Sequence, residues 1–155
     1  MAEAYHAADA SPAGGATHPL LARMAIARTS AVSVRITIDR DARVVHSTFS
    51  GTLTIVDMLE GRAQVERHPD FARTFAHVLD FADVTEVDIE PRTLRDLAAM
   101  PSIFERDAVQ IVVAAASSPM FRVAQTYRAL AAGSGRNVRI AETFEEARAL
   151  VVAFG

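Results

Sequence analysis

Five carboxylates crowd one short stretch of this sequence. Asp80, Asp83, Glu86, Asp88 and Glu90 fall within eleven residues, with no basic residue among them. Clustered carboxylates are what a hard divalent cation binds. Two carboxylates in unlike environments can also share general acid–base work. Against the first chemistry, the glycine and terminal glutamate of a calcium-binding loop are missing. Against the second, no nucleophile accompanies the acids. The simplest reading is a solvated acidic turn, with Asp88 capping the helix that follows.

Ser117-Ser118-Pro119 is the second candidate. Proline at the first helical position with serine before it marks a helix start. Its free backbone amides can bind phosphate or carboxylate, although Ser118 as a plain cap explains the same residues. The histidines, His6, His18, His46, His68 and His77, are scattered and make no helical metal-binding pair. No nucleophile elbow supports a Ser-His-Asp triad. Met120, Phe121 and Tyr127, with Phe104, can line an apolar pocket between helix and sheet, or simply fill a core. Arg122 and Arg128 read as solvated.

Composition removes other chemistries. All 16 basic residues are arginine, so lysine nucleophiles and a P-loop lysine are excluded. There is no cysteine, hence no thiol catalysis, disulfide or thiolate-bound zinc. A net charge of −3 without a basic run argues against nucleic-acid binding. Apolar runs reach about six residues, far short of a membrane span. The amino terminus lacks the pattern of a secretory signal. These features predict a cytoplasmic protein.

The elements that must position the candidates follow from periodicity. Residues 1–30, rich in Ala, Gly and Pro, are expected to be a flexible segment with a helical turn near Leu20–Ala27, and Met24 is a second candidate start. Residues 31–155 form one domain. Val32, Val34, Ile36 and Ile38 alternate with polar residues as a strand. A turn at Asp39–Ala42 returns RVVHSTFSG as its hairpin partner, ending at Gly51. A helix over Leu53–Arg67, capped by Thr52 or Thr54, buries Ile55, Val56, Leu59 and Ala63 and keeps Asp57 wet. Phe75–Phe81 is a third strand, and the acidic turn after it leads through Pro91 into a helix to Met100. Val109–Ala116 is a fourth strand. A helix from Pro119 stops near Gly133, and Asn137–Ile140 is a fifth strand. Thr143 and Glu146 form a capping box for a last helix that buries Phe144, Ala147, Val151 and Phe154. The order β-β-α-β-α-β-α-β-α implies an α/β fold: a mixed, mostly parallel five-stranded sheet with an amino-terminal β-hairpin and about four helices. Such sheets usually place a site at the carboxyl ends of their strands.

The ordered set of FSGTLT at Phe49–Thr54, HPDF at His68–Phe71, VLDFADVT at Val78–Thr85 and TFEEA at Thr143–Ala147 resembles the SpoIIAA-like branch of the STAS (sulfate transporter and anti-sigma factor antagonist) fold. Relatives of known role are mostly binding modules. The resemblance implies a non-enzymatic regulatory protein that meets a protein partner through the loop after its third strand, without a cofactor. In anti-sigma antagonists an Asp-Ser pair there carries the phosphorylated serine. Here the pair reads Asp88-Ile89, so that phosphoacceptor is lost. The candidate contacts are Asp80, Asp83, Thr85, Asp88, Arg92, Ser117 and Ser118. A homodimer is a further expectation, from open sheet edges. The alternative is a carrier or sensor of a small apolar or amphipathic, lipid-like ligand held between sheet and helices.

Overall fold

The computed structural model describes residues 33–154, so the expectations for the first 30 residues lie outside the described part. In chain order the elements are β1 (Ser33–Asp39), β2 (Val44–Thr54), α1 (Ile55–Arg67), β3 (Ala76–Asp88), α2 (Pro91–Ala99), β4 (Val109–Val113), α3 (Pro119–Gly133), β5 (Asn137–Ala141) and α4 (Phe144–Phe154). They form a five-stranded sheet of order β1-β2-β3-β4-β5. The β1–β2 pair is antiparallel and the others are parallel. The α/β architecture is therefore the one expected from periodicity.

The β1–β2 turn closes where Asp39 Oδ1 accepts from the Ala42 amide at 2.9 Å, and Arg43 takes a positive φ of 57°. Strand β2 does not stop at Gly51. It runs on to Thr54, which caps α1. There Asp57 Oδ2 accepts from the Thr54 amide at 2.8 Å and from its hydroxyl at 2.7 Å. Asp57 is thus buried in the cap, not wet as its place in the sequence pattern suggested. Helix α1 buries Leu59, Gly61 and Val65, a stripe rotated from the expected one. Gly61 explains the rotation. A Cβ at this position would stand 3.0 Å from Phe49 Cζ, so glycine lets the helix lie close on the sheet.

The largest departure is β3. It continues through the supposed acidic turn to Asp88. Against β2 its register slips twice, between Asp80 and Asp83 and between Val84 and Glu86. Each slip is a β-bulge that puts an extra residue on β3. The inward residues therefore become Phe81, Val84 and Val87, three apart, where period two expects alternation. The acidic stretch is strand, and Glu90, not Asp88, is the N-cap of α2. Strand β4 is shorter than expected and ends at Val113.

The two sheet faces bury separate cores. Val44, Val78, Ile111 and Val113 pack under α4 through Ala147. In that helix Phe144 and Phe154 stay 40% and 47% exposed, contrary to the expected burial of both. The cap is as expected at one end, where the Glu146 amide donates to Thr143 Oγ1 at 3.2 Å. On the other face Phe49, Leu79, Phe81 and Val112 pack under α1 and α3, with Phe49 and Phe81 stacked at 4.9 Å. Helix α2 packs through Leu94 and Leu97 onto Leu59 of α1 and Val123, Tyr127 and Leu130 of α3.

Candidate functional site

On the face covered by α1, α2 and α3, three strands each carry one polar residue inward. The parallel register sets His77 opposite Val45 on one side and Gln110 on the other, and Ser47 opposite Leu79. Ser47, His77 and Gln110 thus form a polar row across the sheet near the amino ends of β3 and β4. Above the row lies a cavity of about 90 Å³, partly open to solvent. Its walls are apolar: Phe49, Leu79, Phe81 and Val112 from the sheet, Met58 and Gly61 from α1, Ile89, Leu94 and Leu97 around α2, and Met120, Val123, Ala124 and Tyr127 from α3. Ser102, Ile103 and Phe104 close one side.

The floor is electrostatically distinctive. Ser47 Oγ and His77 Nε2 are 2.8 Å apart, and both residues are buried. The His77 ring stacks on Phe104 at 4.6 Å. Burial, and secondarily the charge of His46, pulls its pKa down to about 3, so His77 is neutral at physiological pH. Its Nδ1 has no protein partner, nor does Gln110 Oε1. Buried polar atoms normally find a partner, and those that do not mark places where a ligand or solvent completes the site. With its protonated form so disfavoured and no carboxylate on Nδ1, His77 is a weak proton acceptor for Ser47.

Two arginines stand at the rim. Arg62 Nη2 donates to the Pro101 carbonyl at 2.7 Å. Arg136 donates through Nη2 to the Met100 carbonyl and through Nη1 to the Tyr127 hydroxyl, the latter at 3.2 Å. The guanidiniums therefore converge on consecutive carbonyls at the end of α2. Partial burial lowers the pKa of Arg62, the charge of Arg136 lowers it further, and Glu66 and Tyr127 oppose the shift.

No protein-family model and no curated protein matches this chain.

The candidates drawn from the sequence lie elsewhere. Asp80 is half-buried in β3, and its Oδ1 accepts at 2.9 Å from the Ala82 amide, which sits in the first bulge. Asp83, Thr85, Asp88 and Arg92 are exposed. Among the described residues no group of three His, Asp or Glu side chains converges to hold a metal. The reason is geometric: an extended strand spreads its side chains, where a loop could gather them. Ser117 is exposed beyond the end of β4, and Ser118 is the N-cap of α3, its buried Oγ lacking a protein partner. Among the described residues no helix is long and apolar enough to cross a membrane.

Of the residues suggested as a pocket lining, Phe104, Met120 and Tyr127 do line the cavity, while Phe121 packs on the same core without lining it. Arg122 and Arg128 are exposed. Sequence reasoning missed Ser47, Arg62, Gln110 and Arg136, and His77 entered it only as one of five scattered histidines. A signal existed for three of them. Ser47 falls between Val45 and Phe49 on the inward face of β2, and His77 and Gln110 each interrupt an apolar run.

Proposed function

We propose that the protein is a cytoplasmic, non-enzymatic carrier or sensor of a small amphipathic ligand, held between the sheet and its three covering helices. One observation carries this reading: a cavity of about 90 Å³ whose apolar walls end on a floor with unpartnered polar atoms at His77 and Gln110. Apolar walls with a few fixed polar groups are the usual make-up of a small-molecule site. Native mass spectrometry of the purified protein, with thermal shifts across a panel of small amphiphiles, tests it. A bound mass, or a stabilising shift that Ala124→Leu removes, is expected, because Ala124 is a buried wall residue of the cavity. Apo mass alone and no shift with any amphiphile would refute it.

A second reading is a STAS-like partner-binding module, with a homodimer as one form of it. It is favoured by the open edge of β3. Pairing with β4 ends at Asp80–Val113, so residues 81–88 have no strand partner on that side among the described residues. That edge carries exposed Asp83, Thr85 and Asp88, and Arg92 follows in α2. Pulldown with the full chain should recover a partner, or a second copy, that the double variant Asp83→Asn, Asp88→Asn loses. Equal recovery by both proteins sinks this reading.

A further inference from the structure

The proposed ligand site carries more information than its location. Three independent features bear on what fills it. The first is size. An apolar cavity of about 150 Å³ takes a benzene ring. In proportion, 90 Å³ takes about four non-hydrogen atoms, too few for an acyl chain. The second is charge. Arg62 and Arg136 both line the cavity and are only partly exposed. Their hydrogen bonds go to neutral groups: the carbonyls of Pro101 and Met100 and the hydroxyl of Tyr127. Neither is in a salt bridge among the described residues. Each guanidinium carries five donors in a planar fork suited to carboxylate, and most of these are left over. The third is the floor. His77 is 7% exposed and has an unpartnered ring nitrogen, and Gln110 beside it has an unpartnered carbonyl oxygen.

We infer that the ligand is a short monocarboxylate bearing a hydroxyl as its second polar group, a hydroxy acid of roughly seven non-hydrogen atoms. Its carboxylate sits at the rim on Arg62 and Arg136, and its apolar body fills the cavity. Its hydroxyl reaches the His77–Gln110 row, where it can donate to Gln110 Oε1. This inference rests on the ligand-binding reading and narrows it. A simpler role for the arginines is to cap the last carbonyls of α2. That role predicts effects on stability and none on ligand charge.

Calorimetric titration of the full-length protein separates the two. The probes are β-hydroxybutyrate, its uncharged amide, butyrate, and straight-chain acids up to decanoate. The hydroxy acid should bind best, and its amide about tenfold more weakly or worse, as expected for loss of a charge-assisted contact. Arg136→Gln and Arg62→Gln should each erase the acid–amide difference, while Arg136→Lys keeps part of it. Gln110→Leu should erase the preference for β-hydroxybutyrate over butyrate. Equal affinity for acid and amide in the unmodified protein overturns the inference without needing any variant. So does affinity that climbs steadily to decanoate, the behaviour of a lipid site. Neutral amphiphiles such as butanol or indole serve as the control. Their binding without any carboxylate removes this inference and leaves the ligand site standing. No binding by any probe removes both.

Discussion

The buried, neutral His77 makes a quantitative demand on stability. Its pKa is about 3 in the folded protein, against 6.5 for an ordinary histidine. Between these values the unfolded chain holds a proton that the folded chain refuses. The unfolded state binds more protons, so stability rises with pH across the window and is lost as pH falls below 6.5. The slope is about 1.4 kcal/mol per pH unit. At pH 5 the loss from this one residue is therefore about 2 kcal/mol. For a small domain that is a large share of the total.

The measurement is urea unfolding at pH 7.5 and pH 5, followed by far-ultraviolet circular dichroism because the chain has no tryptophan. Unmodified protein is compared with His77→Gln, which keeps a polar partner for Ser47 without a titrating ring. Carboxylates, His68 and half-buried His46 are common to both proteins. Burial also lowers the pKa of His46, which adds to the acid sensitivity of each. The difference between the two slopes reports His77 together with its coupling to His46. His77→Gln is expected to lose about 2 kcal/mol less than the unmodified protein between the two pH values. Equal losses would mean that His77 titrates as a solvated histidine, and the closed, neutral floor of the cavity would have to be abandoned.

Other perturbations probe the frame around the cavity. Gly61→Val, which would ordinarily raise helix propensity, should cost about 1–3 kcal/mol, because a Cβ at this position already meets Phe49 at 3.0 Å and Val34 at 3.3 Å. Equilibrium unfolding reads it, and unchanged stability would show that α1 can lift off the sheet freely. Thr54→Ala removes the hydroxyl that pairs with buried Asp57 at 2.7 Å and should cost about 1 kcal/mol by the same measurement. Ile89→Ser should not restore a phosphorylation switch, since Ile89 is a partly buried wall of the cavity; it should cost about 2 kcal/mol instead. Phosphate incorporation from a generic kinase mixture would contradict this.

Most of the fold was legible because most of the chain keeps a clean period. The β1–β2 hairpin, the Pro91 and Pro119 helix starts and the Thr143 cap all sit where local chemistry puts them. Reading failed where a tertiary demand broke the period. In β3 two bulges turn alternation into a three-residue spacing, so Phe81, Val84 and Val87 did not look like one strand, and five acids looked like a loop. Asp57 looked solvated because its partners belong to the cap of its own helix. The cavity was half legible. Its apolar wall follows from helix spacing in α3, but its polar row exists only after three strands are laid in register. The arginines at the rim come from α1 and from the turn after α3, and no local pattern joins them.

The doubled slip in β3 bears on how the chain can change length. Opposite the seven residues 48–54 of β2, β3 spends nine, 80–88. The surplus residues are accommodated by exposed Ala82 and Thr85. A chain lacking both would present Phe81, Val84 and Val87 inward and Asp83, Glu86 and Asp88 outward by plain alternation, each valine still opposite its present neighbour on β2. The long strand therefore behaves as a regular ladder carrying two spare links. Insertions and deletions at those links can lengthen or shorten the acidic arm while the wall of the cavity keeps its place.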